Sequence, residues 1–117
     1  MPIILLFSFL QFACASSLEE LSGKVNKDLP EVYDHATKLM RTTVENGSFI
    51  YQFLVGANKD EYAFAIPKVR SQIMNTVCKH GREKAILEKH KANIVYRYEN
   101  LKGQSLGEFM IPAGHCR

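Results

Sequence analysis

The chain has 117 residues, of which 46% are hydrophobic and 23% are charged, and its formal net charge is +3. This length is typical of one small domain, and the apolar content excludes an intrinsically disordered chain. So mild a positive charge is no signature of nucleic-acid binding, which needs basic residues clustered on one face. The densest basic run, residues 79–91, also contains Glu83 and Glu88. We interpret it as a solvated helix face, with a patch for an anionic partner as the alternative.

The opening segment is apolar for most of its length and carries no charged side chain. It is too short to span a bilayer, which takes about 20 residues. Ala13-Cys14-Ala15 fits the small-x-small rule of signal peptidase, so we predict a signal peptide over residues 1–15 and an exported domain over residues 16–117. One alternative is a lipoprotein signal cut before Cys14, which would then carry the acyl chains. The other is a core element that stays in the mature chain.

Loss of the signal peptide reduces the three cysteines to two, Cys78 and Cys116. An even pair of cysteines in an exported chain predicts a disulfide. In the chain-entropy model, closing a loop of this length would stabilise the folded state by about 4 kcal/mol. A metal site made of Cys78, His80, His115 and Cys116 is the alternative. It is disfavoured because adjacent residues of an extended segment point in opposite directions. We therefore predict no metal and no cofactor.

The first elements are a helix and a hairpin. Apolar residues at helical spacing predict a helix over residues 18–27, which Pro30 ends. Asn46-Gly47 is the preferred pair for a type I′ turn, because both positions need a positive φ, and it predicts a β-hairpin. Asn46 also begins a glycosylation sequon, which matters only in a eukaryotic source. The predicted register pairs Glu45 with Ser48, Val44 with Phe49, Thr42 with Tyr51, Met40 with Phe53 and Lys38 with Val55.

The middle of the chain is predicted to be helical. An apolar stripe predicts a helix over residues 67–79, with Pro67 in its first turn and Gly81 as its stop. A second short helix is predicted over residues 82–90. The stripe consists of Ile66, Val69, Ile73, Met74 and Val77. We interpret it as core packed on a sheet, with a partner-binding groove as the alternative.

A second hairpin is predicted near the end of the chain. Residues 94–99 are β-branched and aromatic, a type I turn with a left-handed Gly103 follows, and a strand over residues 104–111 completes it. Simple pairing puts Glu108 on the apolar face, which a bulge at Gly107 would correct. The order of elements predicts an α+β fold, with an antiparallel sheet of about four strands and helices packed on one face.

Two segments together resemble a known family. A cysteine closes a helix in NTVCKHG, and a Tyr-x-Tyr strand, a glycine turn and a terminal cysteine follow in IVYRYENLKGQSLGEFMIPAGHC. This layout resembles small exported bacterial proteins, among them the AspS class of type II secretion pilotins. The resemblance implies a periplasmic domain with one disulfide, between Cys78 and Cys116. A pilotin binds a helical tail segment of the outer-membrane secretin, and it requires an acylated cysteine, here Cys14.

No catalytic motif stands out, so we predict a non-enzymatic envelope protein, periplasmic or secreted, whose partner is another protein. We predict no nucleic-acid partner and no membrane contact except through a lipid on Cys14. The alternative is a periplasmic inhibitor or immunity protein that blocks a toxin or hydrolase through the 100–103 turn or the 112–117 tail. An enzyme would need carboxylates and histidines in one pocket. The residues concerned are Glu99, Glu108, His90 and His115.

Overall fold

Five strands and the helices on one of their faces make up the part of the chain that the computed structural model describes, residues 17–56 and 59–116. Within these residues, no helix combines the length and the apolarity that crossing a membrane requires. The predicted signal peptide, with Cys14, lies outside them. The elements are α1 (Ser17–Lys27), β1 (Glu31–Asp34), β2 (Thr37–Glu45), β3 (Ser48–Val55), α2 (Lys59–Thr76), a 3₁₀ turn (Val77–Lys79), α3 (Gly81–Lys84), a π-helical turn (Ala85–Lys89), β4 (Ile94–Asn100) and β5 (Ser105–Ile111).

The strands lie in one sheet in chain order, β1-β2-β3-β4-β5. All neighbours are antiparallel except β3 and β4, which are parallel. The α+β class is confirmed, but the prediction of four antiparallel strands is wrong in two respects. β1 adds an edge strand, and the two hairpins join through a parallel pair. The helical connection between β3 and β4 explains the second difference, because a long crossover can return the chain to the end of the sheet where β3 began.

The β2–β3 hairpin has the predicted turn, with φ of 51° at Asn46 and 76° at Gly47. The predicted register is confirmed for the pairs nearest the turn. It is wrong beyond a bulge at Met40, where Leu39 rather than Met40 pairs with Phe53. The bulge buries Leu39 completely and leaves Met40 42% exposed. The structure thus places the branched side chain in the core and the flexible one outside.

The β4–β5 hairpin contains the predicted bulge. The register shifts at Leu106, which is 4% exposed, and Gly107 has a φ of 128°. A side chain at Gly107 would be strained by that φ, and its Cβ would lie 3.3 Å from Ile66 Cγ1 of α2. The shift leaves Glu108 exposed instead of facing the core, as predicted. The turn glycine, Gly103, has the expected positive φ of 77°.

Helix α2 begins at Lys59, so Pro67 lies in its interior and the predicted start at residue 67 is wrong. A proline removes one intrahelical hydrogen bond, but the residues before it are good enough helix formers to carry the helix through. The end of the helical region is close to the prediction, since the 3₁₀ turn follows α2 directly. The predicted apolar stripe packs as core, as expected: Val77 is buried, and the other four residues pack against the core.

Helix α1 covers the edge of β2 that β1 leaves free. The Asn26 side chain accepts a hydrogen bond from the Thr42 N–H (2.7 Å) and donates one to the Thr42 carbonyl (3.0 Å). It therefore takes the place of a neighbouring strand and satisfies backbone groups that would otherwise be buried without a partner. Ser22 Oγ lies 2.7 Å from Thr42 Oγ1, and both residues are buried.

We expect Asn26→Ala to lower the free energy of unfolding by about 1–2 kcal/mol, because Thr42 would lose two backbone hydrogen bonds in a buried position. Lys24→Ala changes an exposed position on the same helix and should stay within about 0.5 kcal/mol of the wild type. Urea denaturation followed by circular dichroism measures both. Equal midpoints for the two variants would contradict the role given to Asn26.

The disulfide predicted between Cys78 and Cys116 is present, with a Cα–Cα distance of 5.5 Å. It joins the 3₁₀ turn to the tail beyond β5. The same tail is held by the Ala113 N–H, which donates to Asn93 Oδ1 (3.0 Å), and by His115 Nε2, which lies 2.6 Å from the Met74 carbonyl oxygen. Because the two sulfurs are bonded to each other, the alternative metal site with two thiolates does not form.

Loss of the disulfide should cost about 4 kcal/mol, because the crosslink closes a loop across a sequence separation of 38 residues. The double variant Cys78→Ala/Cys116→Ala should show this loss in urea denaturation. The wild-type protein in excess reductant should lose a similar amount. A reduced wild type as stable as the oxidised form would show that the crosslink contributes nothing to stability.

Candidate functional site

A groove of about 800 Å³ opens on the helix-covered face of the sheet. Its floor includes Phe53, Tyr96 and Tyr98, each no more than 3% exposed. It exists because the helices cover this face incompletely: α1 packs on β2, and α2 packs on β5. A concave surface is left between β1 and the helical segment that follows β3, with these buried rings at its base.

Strand β1 forms one wall of the groove, and all four of its residues are exposed. Val32 is 66% and Tyr33 46% exposed, so this strand presents two large apolar side chains to solvent. The Tyr33 ring meets the Phe53 ring edge-on at a centroid distance of 5.0 Å. This wall therefore continues the aromatic surface of the floor towards solvent.

The other wall is helical. It consists of one face of the C-terminal half of α2, followed by the 3₁₀ turn and α3. The α2 residues that line it follow the spacing of a single helix face. They are Val69, Gln72, Ile73 and Thr76. With an apolar floor and walls of mixed polarity, the groove suits a ligand that has one apolar face.

Arg82 links the two walls across the floor. Its Nε donates to Tyr51 Oη (3.1 Å), and its Nη2 donates to Tyr33 Oη (3.4 Å) on β1. The Glu31 and Glu83 carboxylates lie 3.7 and 3.6 Å from Nη2. The guanidinium carbon also lies 5.4 Å from the centre of the Tyr51 ring. Arg82 thus holds the edge strand against α3.

The tyrosines and Arg82 of this cluster keep their protonation states around neutral pH. Burial raises the pKa of Tyr33 to about 12, and it raises the pKa values of Tyr51 and Tyr96 further. Burial lowers the pKa of Arg82, but interactions with Tyr51 and Glu83 outweigh it and leave that pKa above its ordinary value. The tyrosines are neutral hydrogen-bonding groups here, and Arg82 remains a cation with carboxylates beside it.

The opposite face of the sheet is closed by ion pairs. Arg97 on β4 lies 3.3 Å from Glu45 on β2 and 3.3 Å from Glu108 on β5. The hydrogen bond with Glu108 raises the pKa of Arg97. Glu45 is on β2 and Arg97 is on β4, so their contact passes over β3, which lies between these strands. Ile50 of β3, on the same face, is only 2% exposed.

The four residues considered for an enzyme do not share a pocket. Glu99 accepts a hydrogen bond from Gln52 Nε2 (3.0 Å), and Glu108 pairs with Arg97, both on the ion-paired face. His115 lies against α2 on the other face. His90 follows the π-helical turn. The sheet therefore separates the two carboxylates from His115.

Sequence reasoning missed two parts of this site. The first is β1, because four residues are too few to show an alternating pattern. The second is Arg82, which belongs to the basic run that we interpreted as a solvated face. Arg82 and Glu83 line the groove and are half-buried, whereas the other charged residues of the run are exposed. The exposed ones are Lys79, Lys84, Glu88, Lys89 and Lys91.

Solved structures with the same fold identify what the chain is similar to. A protein of Pseudomonas aeruginosa described as secreted matches with a TM-score of 0.76 and 23% identity, over 91% of this chain and 95% of its own. The pilotin EpsS of the Vibrio vulnificus type 2 secretion system matches with a TM-score of 0.68 and 16% identity, over 86% and 88%. The pilotin AspS of the Vibrio cholerae type II secretion system matches with a TM-score of 0.59 and 14% identity, over 89% and 99%.

No model of a known protein family matches the sequence, and no curated protein does either. At these levels of identity, the solved structures establish a shared fold. The resemblance to small exported bacterial proteins and to the AspS class of pilotins, expected from the sequence, is confirmed as a resemblance of fold.

Proposed function

We propose that the chain is a non-enzymatic accessory protein of the bacterial envelope that binds a helical segment of a partner protein in the groove, as a pilotin does. The observation that carries this proposal is the open groove with its aromatic floor, on a fold shared with two pilotins. No cofactor enters the proposal.

A helix suits this groove better than an extended peptide does. A helix satisfies its own backbone hydrogen bonds, so it needs mainly apolar contacts from its receptor, such as Tyr33 on one wall and Ile73 on the other. An extended peptide binds by pairing with the free edge of a strand. The neighbouring edge strand, β1, has only four residues and an irregular register, which makes it a poor template.

The proposed location is the periplasm or the exterior, after removal of residues 1–15 to leave an exported domain over residues 16–117. A pilotin-like role also requires a tether, for which acylation of Cys14 is the alternative processing. The disulfide supports an oxidising compartment, where such crosslinks persist.

Intact-mass spectrometry of the mature protein should show a chain that begins at Ser16 and is two hydrogens lighter than the reduced sequence. Cleavage before Cys14 with added acyl mass would support the tethered form instead. A full-length chain with free thiols would contradict export itself.

Changes to the groove walls should weaken binding without unfolding the protein. Val32→Asp on β1 and Thr76→Arg on α2 alter exposed positions that line the groove. Each should lower the affinity for a secretin tail peptide about tenfold or more, since a charge enters the contact surface. Met110→Asp, a matched change at an exposed position outside the groove, should leave the affinity unchanged. Fluorescence anisotropy with a labelled peptide measures all three, and equal affinities would refute the assignment of the groove.

An inhibitor or immunity protein is the second candidate, and one observation favours it. Leu101 is 75% exposed at the tip of the β4–β5 turn. Asn100 Oδ1 accepts hydrogen bonds from the N–H groups of Lys102 and Gln104, each at 3.0 Å, so the turn is preorganised. In that case Leu101→Ser would abolish protection against a toxin, and Val32→Asp would not.

A further inference from the structure

We infer that the helix bound in the groove carries basic side chains on the flank that faces β1. This inference rests on the proposed function, since it describes the partner of the same groove. It follows from the distribution of charge over the two walls.

The groove is acidic although the chain as a whole is basic. Among the described residues that line it, three carboxylates face two cationic side chains. The whole chain has the opposite balance, with 15 Lys+Arg against 12 Asp+Glu. The carboxylates are Glu31, Asp34 and Glu83, and the cations are Lys79 and Arg82.

Arg82 lies between two carboxylates, 3.6 Å from Glu83 and 3.7 Å from Glu31. One guanidinium balances only one of them, so these three groups together keep one net negative charge. The Glu83 side chain is 12% exposed and the Glu31 side chain 45%. The net negative charge is therefore most accessible to a ligand at Glu31.

The charges left for a ligand lie on opposite walls. Glu31 and Asp34 are on β1, and Lys79 is on the helical wall. The Glu31 side chain is 45% exposed and shares the Arg82 guanidinium with Glu83, so its charge is only partly neutralised. Asp34 is exposed, and its Oδ1 accepts one hydrogen bond, from the Ala36 N–H. Both carboxylates keep capacity for a further cationic partner.

This asymmetry sets the rotation of the bound helix about its own axis. The flank towards β1 should be basic, and the flank towards Lys79 neutral or acidic. Glu31 pairs with Leu39 and Asp34 with Thr37, so the bulge in β1 places the two residues about 7 Å apart along the wall. Two basic residues four positions apart on an α-helix span about 6 Å.

The experiment uses three helical peptides of about 18 residues with the same leucine and alanine face. They differ only at two flank positions four residues apart, which carry lysine, glutamine or glutamate. Fluorescence anisotropy at low salt should show the lysine peptide binding about fivefold more tightly than the glutamine peptide, and the glutamate peptide more weakly than both. High salt should remove these differences.

Variants of the protein test whether the charge preference arises from the carboxylates of β1. The double variant Glu31→Gln/Asp34→Asn should abolish the preference for the lysine peptide. Asparagine at position 34 keeps the side-chain oxygen that accepts the hydrogen bond from the Ala36 N–H, so the turn should be preserved. Glu31→Lys with Asp34→Lys should reverse the preference in favour of the glutamate peptide. Glu88→Gln removes one exposed carboxylate outside the groove and should leave the preference intact.

The outcomes separate this inference from the proposed function. Equal binding of the three peptides, blocked by Val32→Asp, would overturn the charge preference and leave the groove as a helix site. A preference that survives in the Glu31→Gln/Asp34→Asn variant would also overturn it. Failure of every peptide to bind at any salt concentration would overturn the proposed function together with this inference.

Discussion

The parallel pairing of β3 with β4 is the interaction on which the rest of the structure depends. Its register places Tyr51 beside Tyr96 and Phe53 beside Tyr98. The first pair of rings meets edge-on at 5.3 Å, and the second stacks at 4.9 Å. Both arrangements are favourable for aromatic rings. The row of rings is the centre of the core, and its end at β1 is also the floor of the groove.

The groove follows from how the helices meet this row. The helices and β1 leave a gap over this row, but the rings at its base are no more than 3% exposed, so a ligand would meet mainly the walls. Arg82 and the contact between Tyr33 and Phe53 hold the short strand β1 in place. Because β1 is otherwise exposed, the position of this wall depends on the same residues that a ligand would touch.

The remaining edges and faces are protected in ways that do not favour binding. On one edge of the sheet, Asn26 forms hydrogen bonds with the backbone of β2 beyond the part of β2 that pairs with β1. On the other edge, a bulge and the charged side chain of Glu108 interrupt β5. Such features discourage pairing with another strand. On the face away from the helices, Arg97 binds carboxylates on both sides. The groove, by contrast, is concave and has the exposed ring of Tyr33 on one wall.

Local signals in the sequence determined much of the fold. The Asn46-Gly47 turn set the register of one hairpin as far as the bulge, and the conflict over Glu108 predicted the bulge at Gly107 in the other. The pair of cysteines predicted the disulfide. These features depend on residues close together in the chain or, for the disulfide, on counting alone. The resemblance to exported proteins rested on the same segments.

Only the tertiary structure decided how the hairpins join, where the edge strand lies and what Arg82 does. Each depends on residues that are far apart in the chain: β3 meets β4 across the helical crossover, and Arg82 meets Tyr33 across the groove. The two halves of the groove carry no shared pattern in the sequence. They become a site because folding places β1 and α3 on either side of the same aromatic row.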